Sequence, residues 1–308
     1  MPTKPLTAGQ LVEAVNAYKE CGSYAAAGRM VGVSPDAFRN RLRHAEAKGL
    51  MKPAPVIEPG EPISHCVIPD VQAKPGVPLD HLTWAGKYIA EKRPDVIVCL
   101  GDFADMESLS SYDKGKRSAE NKRYKADLDA AHRGMEMLMT PIVLAKDYKP
   151  RLVMILGNHE DRITRYADDN PVMHESVSIR DLGYEAWGWE VVPFREVIKI
   201  DGVAYSHYFY NQNTSKPYGG ANLDTRLKTI GMSFTMGHQQ GLSVAIRELA
   251  DGTRHRGLVA GSFYQHSESY RGPQACFEWR GLIFKHEVNG GDYDLMEVSL
   301  NYLKRRYA

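Results

Sequence analysis

Carboxylates, amides and histidines recur in this chain wherever an apolar run ends, and side chains of these types are suited to holding metal ions. HCVIPD (65–70) ends in Asp70, with Gln72 two residues on; DVIVCLGD (95–102) ends in Asp102; RLVMILGN (151–158) ends in Asn158; His207 and His238 follow two later apolar runs. Residues two apart project to one side of an extended chain, so Asp70 and Gln72 can act together. Asp102 can bridge two ions with its two oxygens, and Asn158, His207 and His238 add neutral oxygen and nitrogen donors. A single Asp after a strand is more often a turn residue or a helix cap. A single His is more often a hydrogen-bonded structural residue. Repetition at successive strand ends is what points to a metal centre.

The elements that must position these groups follow from the hydrophobic pattern. Leu152–Leu156 is an unbroken apolar run that reads as a strand buried on both faces, and it opens into a glycine turn carrying Asn158, His159, Glu160 and Asp161. With strands at 65–70 and 95–102, a helix over His81–Lys92 and a long helical region from about Ser118 to Leu144, it predicts a parallel sheet. Sites in such sheets form at the carboxyl ends of the strands. Beyond Asp181 the chain turns β-rich: WEVVPF, VIKI and VAYSH across an Asp201-Gly202 hairpin turn, then SFTMG, GLVAGSF, CFEWRGLIFKHE and DYDLMEVSL. Glu160 and Asp161 read as helix-start residues.

Residues 7–50 read as a separate helical unit, with Thr7 as a first cap and Leu11, Val12, Val15 and Tyr18 at helical spacing. An Ala-rich helix, a turn at Gly32–Ser34 and a longer helix from about Pro35 make a helix-turn-helix pattern with Phe38 and Leu42 facing inward. Arg39, Asn40, Arg41 and Arg43 would then lie on the recognition-type helix, where bases and phosphates of DNA are met. Residues 1–52 hold eight Lys or Arg against four Asp or Glu, so the small piece is basic; the remaining 256 hold 31 against 34. Four prolines and a glycine within 51–62 predict an extended linker. The expected organisation is therefore a DNA-binding unit at 1–50, a linker at 51–62 and a catalytic domain at 63–308. Four cysteines in 308 residues give no disulfide framework and read as reduced core thiols. With no apolar signal core and no stretch long enough to span a membrane, the expectation is a cytoplasmic protein with no membrane partner.

D-x-Q at 70–72, G-D-x-x-D at 101–105, G-N-H-E-D at 157–161, His207 after a strand and G-H-Q-Q at 237–240 resemble, in order and spacing, the calcineurin-like metallophosphoesterase superfamily. The likeness runs from residue 63 to about 300. It implies an α/β (α+β) sandwich of two mixed sheets flanked by helices, here with a small all-α unit in front, and two divalent ions at the loop ends. By the same resemblance, Asp102 bridges the ions, Asn158, His207 and His238 hold one, and Asp70 belongs to the other. His159 is the proton donor to the leaving group, with Asp105 orienting its ring. The family usually has histidine where Gln72 and Gln240 stand. Either the two glutamine oxygens complete an all-oxygen site with Asp70 and Asp102, favouring Mn²⁺ or Mg²⁺ over Zn²⁺ or Fe²⁺, or that ion is lost. The first is preferred, because Asp70 and Asp102 would otherwise be facing carboxylates with no cation between them.

Paired ions lower the pKa of water and neutralise a phosphoryl group, so the chemistry expected is phosphoester hydrolysis. Arg162 and Arg165, at the start of the helix after GNHED, either clamp a phosphate or pair with Asp161 or Asp168. The basic run Lys114, Lys116, Arg117, Lys122, Arg123 and Lys125 either lines a polyanion's approach or forms a solvated helix face. Tyr264, His266, Tyr270 and Arg271 in the 262–272 loop could stack on a base. The leading expectation is a DNA phosphodiesterase or nuclease of phage or prophage type. The alternatives are a phosphatase or phosphodiesterase for small nucleotides or phosphoproteins, and a DNA-binding regulatory protein with a degenerate metallophosphoesterase domain.

Overall fold

Period-two alternation along three short strands sends one apolar set of side chains to each face of a sheet, and this sets the layering of the larger unit. In the computed structural model, which describes residues 6–21, 24–48, 63–211, 213–214, 216–218, 222–267 and 278–308, the chain divides into two compact units, Met1–Glu61 and Pro62–Ala308. The expected linker, residues 51–62, falls outside the described residues, as do Tyr270 and Arg271.

The first unit contains α1 (Ala8–Cys21), α2 (Tyr24–Met30) and α3 (Pro35–Ala47). Thr7 Oγ1 accepts from Gln10 N at 3.3 Å at the start of α1, and Ser34 Oγ accepts from Ala37 N at 3.2 Å at the start of α3, after a left-handed Gly32. Leu11, Ala14, Val15, Ala27, Phe38, Leu42 and Ala45 form its core. Val12, read as a core position, is instead 45% exposed, because the face of α1 that meets α3 is centred on Leu11 and Val15. Arg39, Asn40 and Arg43 are exposed on α3 and Arg41 is half-buried.

The second unit runs β1 (Ile63–Ile68), α4 (Asp80–Lys92), β2 (Val96–Cys99), α5 (Tyr124–Leu144), β3 (Arg151–Ile155), α6 (Asp161–Asp169), β4 (Glu190–Val192), β5 (Ile198–Ile200) and β6 (Val203–Tyr205). It continues with a short ribbon of β7 (Tyr210–Asn211) and β8 (Lys216–Pro217), then α7 (Leu223–Ile230), β9 (Phe234–Met236), β10 (Leu242–Glu248), β11 (Arg254–Ala260), β12 (Gly281–Asn289), β13 (Asp292–Ser299) and α8 (Leu300–Tyr307). One mixed sheet has the order β13-β12-β1-β2-β3-β4 and the other β10-β11-β9-β6-β5. Val67, Val98, Val153 and Ile155 of the first sheet pack with Val203, Tyr205, Leu258 and Ala260 of the second, while Cys66, Ile68, Ile97, Cys99 and Met154 face the helices α4 and α5. On the far face of the second sheet, Ala204, Phe234 and Val259 pack with Leu223 and Leu227 of α7. The result is the sandwich of two mixed sheets between helices.

Parallel register makes the strand ends level: Ile68 pairs with Cys99, Cys99 with Met154, and in the second sheet Tyr205 with Thr235. Every loop that leaves these ends therefore starts at the same edge of the sandwich. A polar network crosses between the sheets, with His65 Nδ1 2.7 Å from Tyr205 Oη, and the buried Lys285 Nζ donating to Tyr205 Oη at 3.0 Å and to Thr235 Oγ1. Burial drives the Lys285 ammonium well below the ordinary lysine range.

Three expectations change. The long helix starts at Tyr124, not Ser118, because Asn121 takes a left-handed backbone (φ 63°) and Arg117–Ala119 is only a single 3₁₀ turn. Of the basic run, only Lys125 is on the helix. Strand β10 and helices α7 and α8 were not expected. In β10, Val244 and Ile246 are exposed and Ala245 is buried, so its apolar side is the outer one. The two free cysteines that are described, Cys66 and Cys99, are buried as expected.

The helical layer depends on a close crossing. A Cβ on Gly86 of α4 would sit 2.3 Å from Leu138 O of α5, a backbone atom that cannot turn aside. Gly86→Ala is expected to destabilise this unit by about 1–3 kcal/mol, as overpacking does, measured by urea unfolding. An unchanged midpoint would show that the crossing yields.

Candidate metal centre

The aligned strand ends bring the expected residues together. Asp70 follows β1, Asp102 follows β2, Asn158 follows β3, His207 follows β6 and His238 follows β9. Backbone bonds join the loops: Asp102 O accepts from Val71 N (3.0 Å) and Gln72 N (2.7 Å), and Gly237 N donates to His207 O (3.1 Å). Carboxylates join them further, since Asp70 Oδ1 accepts from His238 N (3.0 Å) and Asp102 Oδ1 from His159 N (2.9 Å). Gln72, Asp102, His238 and Gln240 all have left-handed φ values, between 49° and 66°. Non-glycine residues held there cost about 1–3 kcal/mol each and collect at functional sites.

Among the described residues, Asp102, His207 and His238 form a group whose ligand atoms all lie within 4.8 Å of one another. Asn158 completes it: its Oδ1 is 2.9 Å from His207 Nε2 and 2.9 Å from His238 Nδ1. His207 Nδ1 lies 2.7 Å from Leu100 O, a pairing in which Nδ1–H donates, so Nε2 is the nitrogen turned toward Asp102 Oδ2 at 3.4 Å. Burial pulls His207 down, but the Asp102 charge, the hydrogen bond to it and the Asp70 charge outweigh burial and raise it to about 9. Loss of solvent on its packed side and the charge of His207 hold His238 down to about 4, although its other side is exposed. Asp70 is raised to about 6 by burial and by Asp102, despite His207. Its Oδ2 is buried with no hydrogen-bond partner. A convergence of lone-pair donors, beside a buried carboxylate oxygen with nothing to accept from, fits a divalent cation.

His159 stands beside this group. Its Nδ1 is 2.7 Å from Asp105 Oδ1, and its Nε2 is 3.7 Å from Asp102 Oδ2. Burial opposes protonation, but Asp102 and the bond to Asp105 prevail and raise its pKa. Asp105 stays ionised: burial would raise it, but His159, Lys74 and Arg162 hold it down to about 2. Lys74 Nζ reaches Asp105 Oδ2 at 3.2 Å and Glu107 Oε1 at 3.0 Å. Arg162 donates to Asp105 O at 2.8 Å, and its Nη2 lies 3.2 Å from His159 Nε2. Arg162 thus pairs with Asp105, not with Asp161 or Asp168, while Arg165 takes Asp161 (3.1 Å).

The remaining expected residues divide. Gln72 and Gln240 are buried at the same edge, and Gln240 Oε1 accepts from Tyr264 Oη at 2.7 Å. Tyr264 is fully buried beneath Arg280, whose guanidinium lies 4.5 Å from its ring, so it anchors Gln240 and is not a surface for substrate as expected. His266 is half-buried and stacks on Tyr264 at 4.6 Å, which uses the ring face that a base would need. In the basic run, Lys122 pairs with Glu107 and Asp113 and Lys125 with Asp129, leaving Lys114, Lys116, Arg117 and Arg123 as exposed residues ahead of the helix.

Lys74 and Glu160 were missed as site residues. Glu160 had been read only as a helix start, but its fully buried carboxylate accepts from Asp102 N, Ala104 N and Gly157 N, each at 2.9 Å, and from Tyr184 Oη at 3.3 Å. Burial and the Asp102 charge push its pKa up, and the backbone N–H groups oppose them. No sequence pattern marks either role. Gly157 is required by the same geometry, since a Cβ there would meet Asp102 Oδ1 at 2.1 Å. Glu160→Gln would aim an amide N–H₂ at groups that can only donate. It is expected to weaken Mn²⁺ binding by about 10–100-fold, as loss of a ligand's supporting bonds does, measured by calorimetric titration. Wild-type affinity in this variant would show that the loop is held by other means.

In comparison with known proteins, the calcineurin-like phosphoesterase family model matches residues 66–239. No curated protein matches. Two solved structures are similar at low identity: one at 11%, with a TM-score of 0.39, covering 78% of this chain and 100% of its own; the other, a conserved uncharacterized protein and predicted phosphoesterase of Streptococcus pneumoniae, at 9%, with a TM-score of 0.33, covering 78% and 91%. The family match spans the strand ends that carry Asp70, Asp102, Asn158, His207 and His238, and the chain belongs to the calcineurin-like phosphoesterases, metal-dependent hydrolases of phosphoesters.

Proposed function

We propose that this phosphoester hydrolase is a phosphodiesterase acting on DNA, using two divalent ions, with Mn²⁺ the metal that suits the donor set best. The observation that carries the reading is the convergence of Asp102, Asn158, His207 and His238 beside the His159–Asp105 pair. These four side chains would hold one ion, and Asp70, Gln72, Gln240 and the second oxygen of Asp102 would hold the other in an all-oxygen set. Bound there, divalent ions supply a water of lowered pKa and neutralise charge on the phosphoryl oxygens.

The protein's own groups do the rest. His159 is the general acid: Asp105 accepts from Nδ1–H, fixing Nε2 as the nitrogen that gives its proton to the departing oxygen. Lys74 and Arg162 hold Asp105 ionised and in place. Arg162 Nη2 lies 3.2 Å from His159 Nε2, beside the nitrogen that gives the proton. The support for DNA is the basic first unit, where α3 exposes Arg39, Asn40 and Arg43 to solvent.

His159→Ala is expected to keep its metal and to lose turnover by a factor of about 10² to 10⁴. In the wild type, turnover should fall as pH rises through the elevated His159 pKa, because only the protonated ring can donate. Unchanged activity in the variant would remove His159 from the mechanism. The substrate reading is tested with Mn²⁺, bis-p-nitrophenyl phosphate, p-nitrophenyl phosphate and labelled DNA, with and without residues 1–52. Cleavage of the diester and of DNA is expected, with the deletion weakening DNA turnover more than that of the small diester. Monoester cleavage alone would overturn the reading.

A further inference from the structure

Beside the metal centre lies a cavity of about 220 Å³, and its walls join the reacting edge to a strained turn. Asn158, Arg162, Arg165 and Arg195 all line it. An aromatic path leads across it: Tyr208 is 4.8 Å from the His238 ring and 5.4 Å from Phe194, ring centre to ring centre. The Arg195 guanidinium lies over the far end, 5.2 Å from Phe194 and 5.0 Å from Tyr210.

Arg195 occupies an improbable position for its type. Glu196 N donates to Pro193 O at 3.0 Å, closing a four-residue turn, and Arg195 is its third residue with φ 73°. That place in a type II turn calls for glycine or asparagine, because a Cβ is strained there. Stability alone would favour glycine, so the strain points to a use for the side chain. Arg162 and Arg165 are engaged by Asp105 and Asp161, whereas among the described residues no carboxylate lies within salt-bridge distance of Arg195. Three guanidinium groups and one carboxylate, Asp161, line the cavity, which leaves it cationic.

We infer that this cavity is a subsite for the nucleotide adjoining the scissile phosphate: the half-buried Phe194 and the exposed Tyr112 receive its base and sugar over the buried Tyr208, and Arg195 binds its next phosphate. The occupant is a polynucleotide, because aromatic side chains set between a metal centre and an exposed guanidinium match a chain that alternates phosphate, nucleoside and phosphate. A phosphomonoester of a protein side chain carries no second phosphate for Arg195. The inference deepens the phosphodiesterase reading and rests on it.

The test is binding of thymidine 3′,5′-bisphosphate, thymidine 5′-monophosphate and inorganic phosphate to the full-length protein in Mn²⁺, for wild type and Arg195→Gly, by calorimetry. The bisphosphate is expected to bind about tenfold more tightly than the monophosphate in the wild type and equally in the variant. Glycine suits the turn, so the melting temperature of Arg195→Gly should be equal or higher, which separates loss of a contact from loss of fold. In turnover, the ratio of kcat/KM for oligothymidylate to that for bis-p-nitrophenyl phosphate should fall about tenfold. A bisphosphate advantage that survives in Arg195→Gly, or is absent from the wild type, overturns the subsite. If the advantage is present and is lost in the variant, but no DNA is cleaved, the subsite stands and the DNA reading falls.

Discussion

The Glu160 carboxylate is the point on which the site depends. It is removed from water, yet it accepts from backbone N–H groups of Asp102 and Gly157 with one oxygen, and from Ala104 N and the Tyr184 hydroxyl with the other. Those N–H groups belong to the two loops that carry Asp102 and the Asn158–His159 pair. A neutral side chain could not satisfy them, since each can only donate, and a buried unpaired donor costs about 1–3 kcal/mol. The left-handed backbone at Asp102 turns its N–H toward Glu160 while its side chain points at the histidines. Strain at the ligand and charge at its support are therefore two sides of one arrangement.

A second constraint follows from the charges so assembled. Asp70, Asp102, Asp105 and Glu160 are all buried within these loops, and of these four carboxylates Lys74 and Arg162 pair with Asp105. Burial opposes protonation of His207, but the Asp102 charge beside it raises it to about 9, whereas Asp70 is raised to about 6 chiefly by burial, with Asp102 adding to it. A divalent cation held by Asp70, Asp102 and His207 would need them without their protons, because a ligand must offer its lone pair.

Much of this could be read from the chain before its fold was known, and the reason is periodicity. Buried parallel strands write themselves as apolar runs, and the polar residue after each run, with its glycine, marks a loop at the edge where sites form. Asp70, Asp102, Asn158, His207 and His238 were legible for that reason. Glu160 was not, because its partners Asp102 N and Ala104 N lie 58 and 56 residues away and are backbone atoms, which have no residue type. Tyr264 was misread because a run of polar and aromatic letters does not disclose that one of them is buried. The turn at Pro193–Glu196 was invisible for the opposite reason, since its tell-tale glycine is replaced by Arg195.

That replacement bears on how the two glutamines should be understood. Gln72, Gln240 and Arg195 all stand at left-handed positions along the same edge, so each keeps a functional side chain where the backbone would prefer glycine or asparagine. Gln240 is further fixed by the Tyr264 hydroxyl, and Tyr264 by the guanidinium of the half-buried Arg280, an arrangement that orients one amide oxygen. The left-handed backbone at both glutamines and the hydrogen bond from Tyr264 to Gln240 are what the proposed oxygen-donor set with Asp70 calls for.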